Sequence, residues 1–446
     1  MEKAGHEGGR KRFLTLLIVS LILVILLAMG QSIAVAMGVT GMVYFILNAG
    51  FDYFPMIVTR IFKGMDSFVF ICVPLYILAG DLMNVAGLTE RLVQWAKAVV
   101  GKLPGGLAQS QLVATAIFGG ISGSALGDIA ALGTIFIPNL EKEGYGKNFA
   151  CALTAASAVA DPIIPPSIII VIYAAVVNTS IGAMYAAAII PGLMLIVGDM
   201  VIVHYLAKKR NYPRRQEPIT MRELAVGTRD ATLALIMPLI ILGGIFLGVF
   251  TPTEAAAVAV AYAFVVGIII YRRMDFKAIR KTLFNSAYAS GTLFFIIAAA
   301  SILGWAFAMM QVPDQVLNLF SGFKQYPWLI LLIMNLFLLW MGMWLDVTAN
   351  ILLFAPIMAP LAYSIGVDPI HFSMIFVMNV NLGNITPPVG IILFATQAVG
   401  KGKMGPMVRE LFPFLVVKIA IVFLITYVPF FSVWMPKVFG FSTAGP

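Results

Sequence analysis

Apolar runs follow one another along almost the whole chain, from residue 13 to residue 438, and the polar connections between them are too short to hold a soluble domain. Runs of about 20 apolar residues predict helices that cross a bilayer. Here these are 13–29, 67–85, 183–206, 231–250, 253–271, 286–310 and 407–435. A shorter run, 33–47, contains Gly38 and Gly41. Three segments, 51–63, 88–102 and 312–326, mix apolar and charged positions and predict helices lying along the interface. The order Thr251-Pro252-Thr253-Glu254 predicts a capping box, with Thr251 as N-cap, Pro252 opening the helix and Glu254 reaching back to the cap.

Two stretches depart from this pattern. In the first, 107–121 and 125–140 are each short for a span and are split by Ser122-Gly123-Ser124, which predicts a hairpin that enters the membrane and returns. The segments 149–160 and 163–177 then form two half-helices of one span, broken at Asp161-Pro162 and Pro165-Pro166-Ser167. In the second stretch, 328–341 and 345–363 are split by Gly342-Met343-Trp344, and 372–383 and 389–399 by Asn384-Ile385-Thr386-Pro387-Pro388. Backbone amides and carbonyls left unpaired in hydrocarbon are costly. A break at membrane depth therefore survives only where it is buried in protein or lines a wet cavity.

The second stretch repeats the first. Asp128 and Asp346 are 218 residues apart, as are Pro138 and Pro356, while Pro165-Pro166 and Pro387-Pro388 are 222 apart. This implies four extra residues inside the second copy. Corresponding broken segments in two halves of a chain mark a transporter's binding site. Five predicted crossings separate the hairpins, an odd number, so the hairpins enter from opposite faces as an inverted repeat. The same count puts the basic connections 208–229, 272–281 and 400–409 on one face, cytoplasmic by the positive-inside rule. The first hairpin then opens to the cytoplasm and the second to the outside. Arg10-Lys11-Arg12 does not fit, because two spans before residue 67 place it outside. Either 13–47 crosses once, or 51–63 also crosses, or the rule fails at this end.

Composition agrees with a polytopic all-α membrane protein: of 446 residues, 61% are hydrophobic and 11% charged, against about 25% charged in soluble domains. The formal charge of +9 sits largely in the short connections, and nothing in it implies nucleic acid. Cys72 and Cys151 lie in apolar runs and are too few for a disulfide framework or a zinc site. His6, His204 and His371 are scattered. The basic start followed by 13–29, with Ala28-Met29-Gly30 beyond it, has the outline of a signal peptide; its length and the spans after it favour an uncleaved first span.

The breaks carry the candidate chemistry. At a hairpin tip, free amides favour an anion and free carbonyls a cation. The hydroxyls of Ser122 and Ser124 add oxygens, and a sodium ion takes oxygen ligands. The alternative is a Gly/Ser packing seam between helices; the duplicate at Gly342 and at Gly383, Asn384, Pro387 and Pro388 favours the ion site. Asp128 and Asp346 are acids in apolar surroundings, which are costly and usually functional. Each also stands where it can cap the following half-helix, and ordering the site is favoured over direct ligation. Asp161, whose counterpart is Gly383, either ligates a cation or caps the half-helix after the break. Lys418, inside the last span, is read as snorkelling.

Six blocks, taken in order, resemble the large membrane subunit of the tripartite ATP-independent periplasmic (TRAP) transporters. They are VPLYILAGDLMN (73–84), ISGSALGDIAALG (121–133), DPIIPPS (161–167), GVFTPTEAAAVAV (248–260), LDVTANILLFAPIMAP (345–360) and NVNLGNITPPVG (379–390). The resemblance implies a multi-pass inner-membrane importer of the elevator kind, driven by sodium and using neither ATP nor an organic cofactor. A periplasmic substrate-binding protein would deliver an organic acid, and a separate small four-helix membrane subunit would complete the complex. Carried over by motif, one sodium site would involve Ser122 and its neighbours at the tip, with backbone around Asp161, Ile164 and Pro166. The other would involve Gly342, Gly383, Thr386 and Val389. The substrate would lie between the tips, and Gly123, Pro165, Ser167 and Asn350 would either order the site or face the substrate. The family commonly has Gly where this chain has Asp161. C4-dicarboxylates, sialic acid and other sugar or keto acids all occur as substrates of such transporters.

This divides the chain into scaffold spans with a first arm (1–106), a transport half (107–182), central scaffold spans with a second arm (183–327), a second transport half (328–400) and a C-terminal span (401–446). A stand-alone sodium/anion symporter of the same superfamily is the nearest alternative. An intramembrane transferase would need paired carboxylates for metal-pyrophosphate or a His/Cys arrangement, and the sequence shows neither, so an enzyme is not expected.

Overall fold

The structure, a computed structural model, describes residues 2–213 and 220–442, without the side chains of 2–14 and 49–51. Arg214 and Arg215 of the basic connection lie outside the described residues, as do the side chains of Arg10, Lys11 and Arg12. The described chain is helical throughout. Its first half runs α1 (Glu2–Ala28), α2 (Ile33–Ala49), α3 (Phe54–Met65), α4 (Cys72–Val85), α5 (Leu88–Val100), α6 (Gly106–Ser122), α7 (Ala125–Asp128), α8 (Thr134–Lys142), α9 (Lys147–Ser157), α10 (Ile168–Val177) and α11 (Ile181–Lys209). A π-helical turn, Ile129–Gly133, joins α7 to α8. The second half runs α12 (Met221–Phe246), α13 (Pro252–Phe264), α14 (Phe276–Met309), α15 (Val312–Leu319), α16 (Pro327–Gly342), α17 (Val347–Ser364), α18 (Pro369–Gly383), α19 (Ile391–Gly400), α20 (Met404–Tyr427) and α21 (Phe430–Val438).

Side-chain caps set several of these boundaries. Thr251 accepts the Glu254 amide while Glu254 bonds back to the Thr251 amide at 2.8 Å, the predicted capping box. A second box at Thr220 and Glu223 starts α12, and Asp275 caps α14 by accepting the Ala278 amide at 2.7 Å. These two caps shorten the basic connections. Residues 221–229 and 276–281, expected to be loop, are the first turns of α12 and α14. Charged residues hide a helix start from an apolar count, but they do not oppose one. The second arm is also shorter than expected, only α15 and a 3-10 turn, Ser321–Phe323. The last span is a pair, α20 and α21, bent by 63°.

A constant offset relates the two halves. Ser124 and Asp346 are 222 residues apart, as are Pro138 and Pro360, the two proline pairs, and the first residues of α9 and α18. The offset of 218 and the four-residue insertion are therefore corrected. At that offset α1 and α2 match α12 and α13, α3–α4 match α14, and each element from α5 to α11 meets its partner in α15 to α20. The duplication covers the whole described chain rather than the two broken stretches alone. Packing follows the same relation: α4 lies on α13 as α14 lies on α2, α9 on α20 as α18 on α11, and α10 on α17 as α19 on the α7–α8 segment. The Asn381 amide donates to the Val159 carbonyl at 2.5 Å, a bond between positions 222 residues apart, so the pseudo-two-fold axis passes through it.

Among the described residues six helical segments are long and apolar enough to cross a membrane, Phe68–Val85, α11, α12, Pro252–Ile270, α14 and α17, and the bent α20–α21 pair makes a seventh if it is one span. Contacts gather the connections onto one face. Arg210 pairs with Glu410 at 2.7 Å, Asn148 accepts the Lys403 amide, Arg273 pairs with Glu90 at 2.7 Å, and Arg91 stacks on Tyr271. These are the basic connections the sequence placed together.

Candidate functional site

Tip 1 forms where α6 ends and α7 begins. Gly123 closes α6 with φ 59°, a left-handed turn that suits glycine, and the backbone of Pro166, Ser167 and Ile168 from the break lies against it. Ser124 then caps α7 by accepting the Gly127 amide. Asp128, one turn on, is not the cap: it accepts a bond from the Ser122 hydroxyl, which in turn accepts the Ser124 amide at 3.2 Å. The break beyond it is longer than expected, because α9 stops at Ser157 and α10 starts at Ile168. Ser167 starts α10 by accepting the Ile170 amide, and its hydroxyl donates to the Pro162 carbonyl. The break is buried against the tip: a Cβ on Gly120 would stand 3.0 Å from the Pro165 carbonyl oxygen. Ile164 packs behind it on Gly192 of α11.

Tip 2 repeats the backbone plan with different residues. Asp346 caps α17 by accepting the Ala349 amide at 3.0 Å, the role Ser124 has in the first copy. The capping alternative for Asp346 therefore holds, and that for Asp128 does not. Asn350 donates to the carbonyls of Leu345 and Asp346 at 2.9 and 3.0 Å. Gly342 and Gly383 meet backbone to backbone: a Cβ on Gly383 would stand 2.5 Å from the Gly342 Cα, which no side chain tolerates. Thr386 donates to the Leu382 carbonyl at 3.0 Å and its amide to Gly383 at 2.9 Å. Beyond Val389, the Gly390 amide reaches across to the Met343 carbonyl at 3.2 Å, tying break to tip. Both proline pairs, Pro165-Pro166 and Pro387-Pro388, are cis.

The two tips share one cavity of about 750 Å³, lined by Ser122–Gly127 from tip 1 and by Asp346–Thr348, Asn381 and Asn384 from tip 2. The opposite wall comes from α4 and α14, with Asp81, Asn84, Tyr288 and Thr292. Asp81 is held by the Ser286 hydroxyl at 2.6 Å. Its described lining residues include no Arg, Lys or His. Hydroxyls, amides and helix starts, together with the carboxylates of Asp81 and Asp346, are what this cavity offers to a ligand. Of the residues singled out in the sequence, Ser122, Gly123, Ser124, Asp346 and Asn384 line the cavity, whereas Asp128, Asp161, Ile164, Pro165, Pro166, Ser167, Gly342, Asn350, Gly383, Thr386, Pro387, Pro388 and Val389 lie off it. Asp81, Tyr288 and Thr292 lie outside the two broken stretches, in unbroken spans where no helix break draws attention to them.

Lys418 does not snorkel. It is fully buried and pairs with the equally buried Asp199 at 2.7 Å, joining α20 to α11. The two residues are 219 apart and belong to matching helices of the two copies. A residue-by-residue reading had no signal for the pairing, because each stands alone in its span. Several buried side-chain oxygens near the tips have no protein partner: Asp128 Oδ2, both oxygens of Asp161, and the Oδ1 atoms of Asn350, Asn381 and Asn384. Unpartnered oxygens of this kind fit a hard cation.

Comparison with known proteins follows the same outline. Residues 20–431 match a family model described as "Tripartite ATP-independent periplasmic transporter, DctM component". The chain is 36% identical to the sialic acid TRAP transporter large permease protein SiaM of Vibrio cholerae, over 84% of this chain and 88% of that protein. It is 35% identical to the C4-dicarboxylate TRAP transporter large permease protein DctM of Pseudomonas aeruginosa, over 86% of this chain and 90% of that one. Its fold is similar to the crystal structure of the YdaH transporter of Alcanivorax borkumensis, with a TM-score of 0.58 and 12% identity over 98% of this chain and all of that one.

Proposed function

The chain belongs to the DctM-component family of tripartite ATP-independent periplasmic transporters, and we propose that it is the large permease subunit of a sodium-coupled importer of an organic acid. It is a multi-pass inner-membrane transport protein and its relatives are permeases, not enzymes. Two opposed tips on one cavity, each packed on a broken helix, are the observation that carries the proposal. In this reading sodium occupies oxygens behind each tip and the organic anion lies between the tips. The cavity has no basic side chain among its described lining residues. The anion is then held by the amides that open the α7–α8 and α17 segments and by the charge of the bound sodium. Sialic acid and C4-dicarboxylates, the substrates named for relatives, mark the class: small hydroxylated or carboxylated anions. A periplasmic binding protein delivers the acid and a small four-helix membrane subunit completes the assembly.

Transport is of the elevator kind in this reading, with α1–α5 and α12–α15 as scaffold. The helices α11 and α20 pack mainly on one another and on the broken helices, with α11 also reaching α12 and, through Tyr185 and Tyr76, α4. We therefore assign them to the moving body, with a different boundary from the one drawn on sequence alone. The test is uptake into proteoliposomes holding this chain and its small subunit, with the binding protein and its ligand outside. Accumulation should require an inward sodium gradient and the binding protein. Robust uptake without the binding protein would make the chain a stand-alone symporter, and uptake indifferent to sodium would remove the coupling.

A further inference from the structure

Three aspartates and one lysine are buried together between tip 1, break 1 and the helices α11 and α20. Asp128, Asp161, Asp199 and Lys418 are exposed by 2%, 0%, 0% and 0%. Lys418 is committed to Asp199. The carboxyl group of Asp161 faces that of Asp128 at hydrogen-bonding range, and Lys418 is the cationic group whose field reaches it. Neither oxygen of Asp161 has a protein partner, nor has Asp128 Oδ2, whereas Asp128 Oδ1 is braced by Ser122. A Cβ on Gly119 would stand 2.9 Å from Asp161 Oδ1, so the side chain is pressed against the end of α6 and aimed at tip 1. Two carboxylates facing one another in a dry interior repel unless a cation lies between them or one of them keeps its proton. One lysine already neutralised by Asp199 does not supply that cation.

We infer that Asp128 and Asp161 together ligate one hard monovalent cation directly, in a carboxylate-lined site behind tip 1 that tip 2, with Gly383 in the matching place, does not reproduce. The inference rests on the sodium-coupled reading and sharpens it. The first site offers unpartnered carboxylate oxygens, whereas at the second Asp346 is taken up by its helix cap and the unpartnered oxygens are amides, so cation binding at the first offsets one buried negative charge.

The test measures radioactive sodium binding to the purified full-length chain in nanodiscs, for wild type, Asp161→Asn, Asp161→Gly and Asp128→Asn. Melting curves without sodium establish that each variant is folded. Asp161→Asn and Asp161→Gly should each bind one sodium ion fewer per chain, or bind it at least tenfold more weakly, and the remaining sodium should be held as in wild type. Asp128→Asn should weaken the same ion. If a folded Asp161 variant keeps the wild-type number and affinity while wild-type uptake still needs sodium, this inference falls and the sodium-coupled reading stands. Proton release in place of sodium loss from the pair would overturn it as well. If wild type binds no sodium at all, both fall together.

Discussion

Behind tip 1 the buried oxygens without a protein partner belong to carboxylates, Asp128 and Asp161; behind tip 2 they belong to amides, Asn350, Asn381 and Asn384. Break 1 is almost wholly buried, whereas Thr386, Pro387 and Val389 are half-buried and Pro388 is exposed. The helix starts sit at the same offset, yet one is capped by Ser124 and the other by Asp346. Duplication has preserved the backbone and let the chemistry drift. A cap needs an oxygen at the right place, and serine and aspartate both provide one. A cation cage likewise needs oxygens, charged or neutral. The symmetry of the fold therefore locates both sites without making them alike.

Breaking the fully buried ion pair between the two copies should have the largest effect on stability. Lys418→Met leaves Asp199 buried and unpaired, at a cost of about 3–5 kcal/mol. The melting temperature should drop sharply, and Lys418→Met with Asp199→Leu should recover most of it. The glycine contact comes next. Position 161 carries a side chain, but Gly383→Ala would drive a Cβ into Gly342, an overpacking that costs about 1–3 kcal/mol. Uptake should be lost in this variant, while Asp161→Ala should leave the backbone and the melting curve of the sodium-free protein close to wild type.

The caps test the comparison at smaller scale. Asp346→Ala and Ser124→Ala should each cost about 1 kcal/mol of stability. Asp346→Ala should abolish sodium-dependent uptake at near-normal expression, and unchanged sodium dependence would remove Asp346 from the site. Thr251→Ala, which breaks a capping box away from both tips, should cost about 1 kcal/mol and leave uptake per folded molecule unchanged. A loss of uptake there would show that the scaffold caps are not independent of the site.

Much of this was legible in the sequence because helix breaks are conspicuous in apolar surroundings. Ser122-Gly123-Ser124, the two proline pairs and the Thr251 box all stand where the residues predict. The offset was misread because Asp128 was matched to Asp346 by identity. The structure matches Asp346 to Ser124 by role, and sequence does not show which oxygen receives an amide. The full extent of the duplication was hidden by sequence divergence: α3–α4 is interrupted where α14 runs straight. The Lys418–Asp199 pair and the approach of Asp161 to Asp128 depend on helices that meet only in three dimensions.

The bond from Asn381 to the Val159 carbonyl joins a position to its own counterpart. Any rearrangement that exchanges the conformations of the two copies leaves a contact on their common axis unchanged. Spectroscopic labels at 159 and 381 should therefore report one fixed distance whichever side of the membrane the cavity faces. That pair gives a ruler with a stationary zero, against which the travel of every other labelled position can be measured.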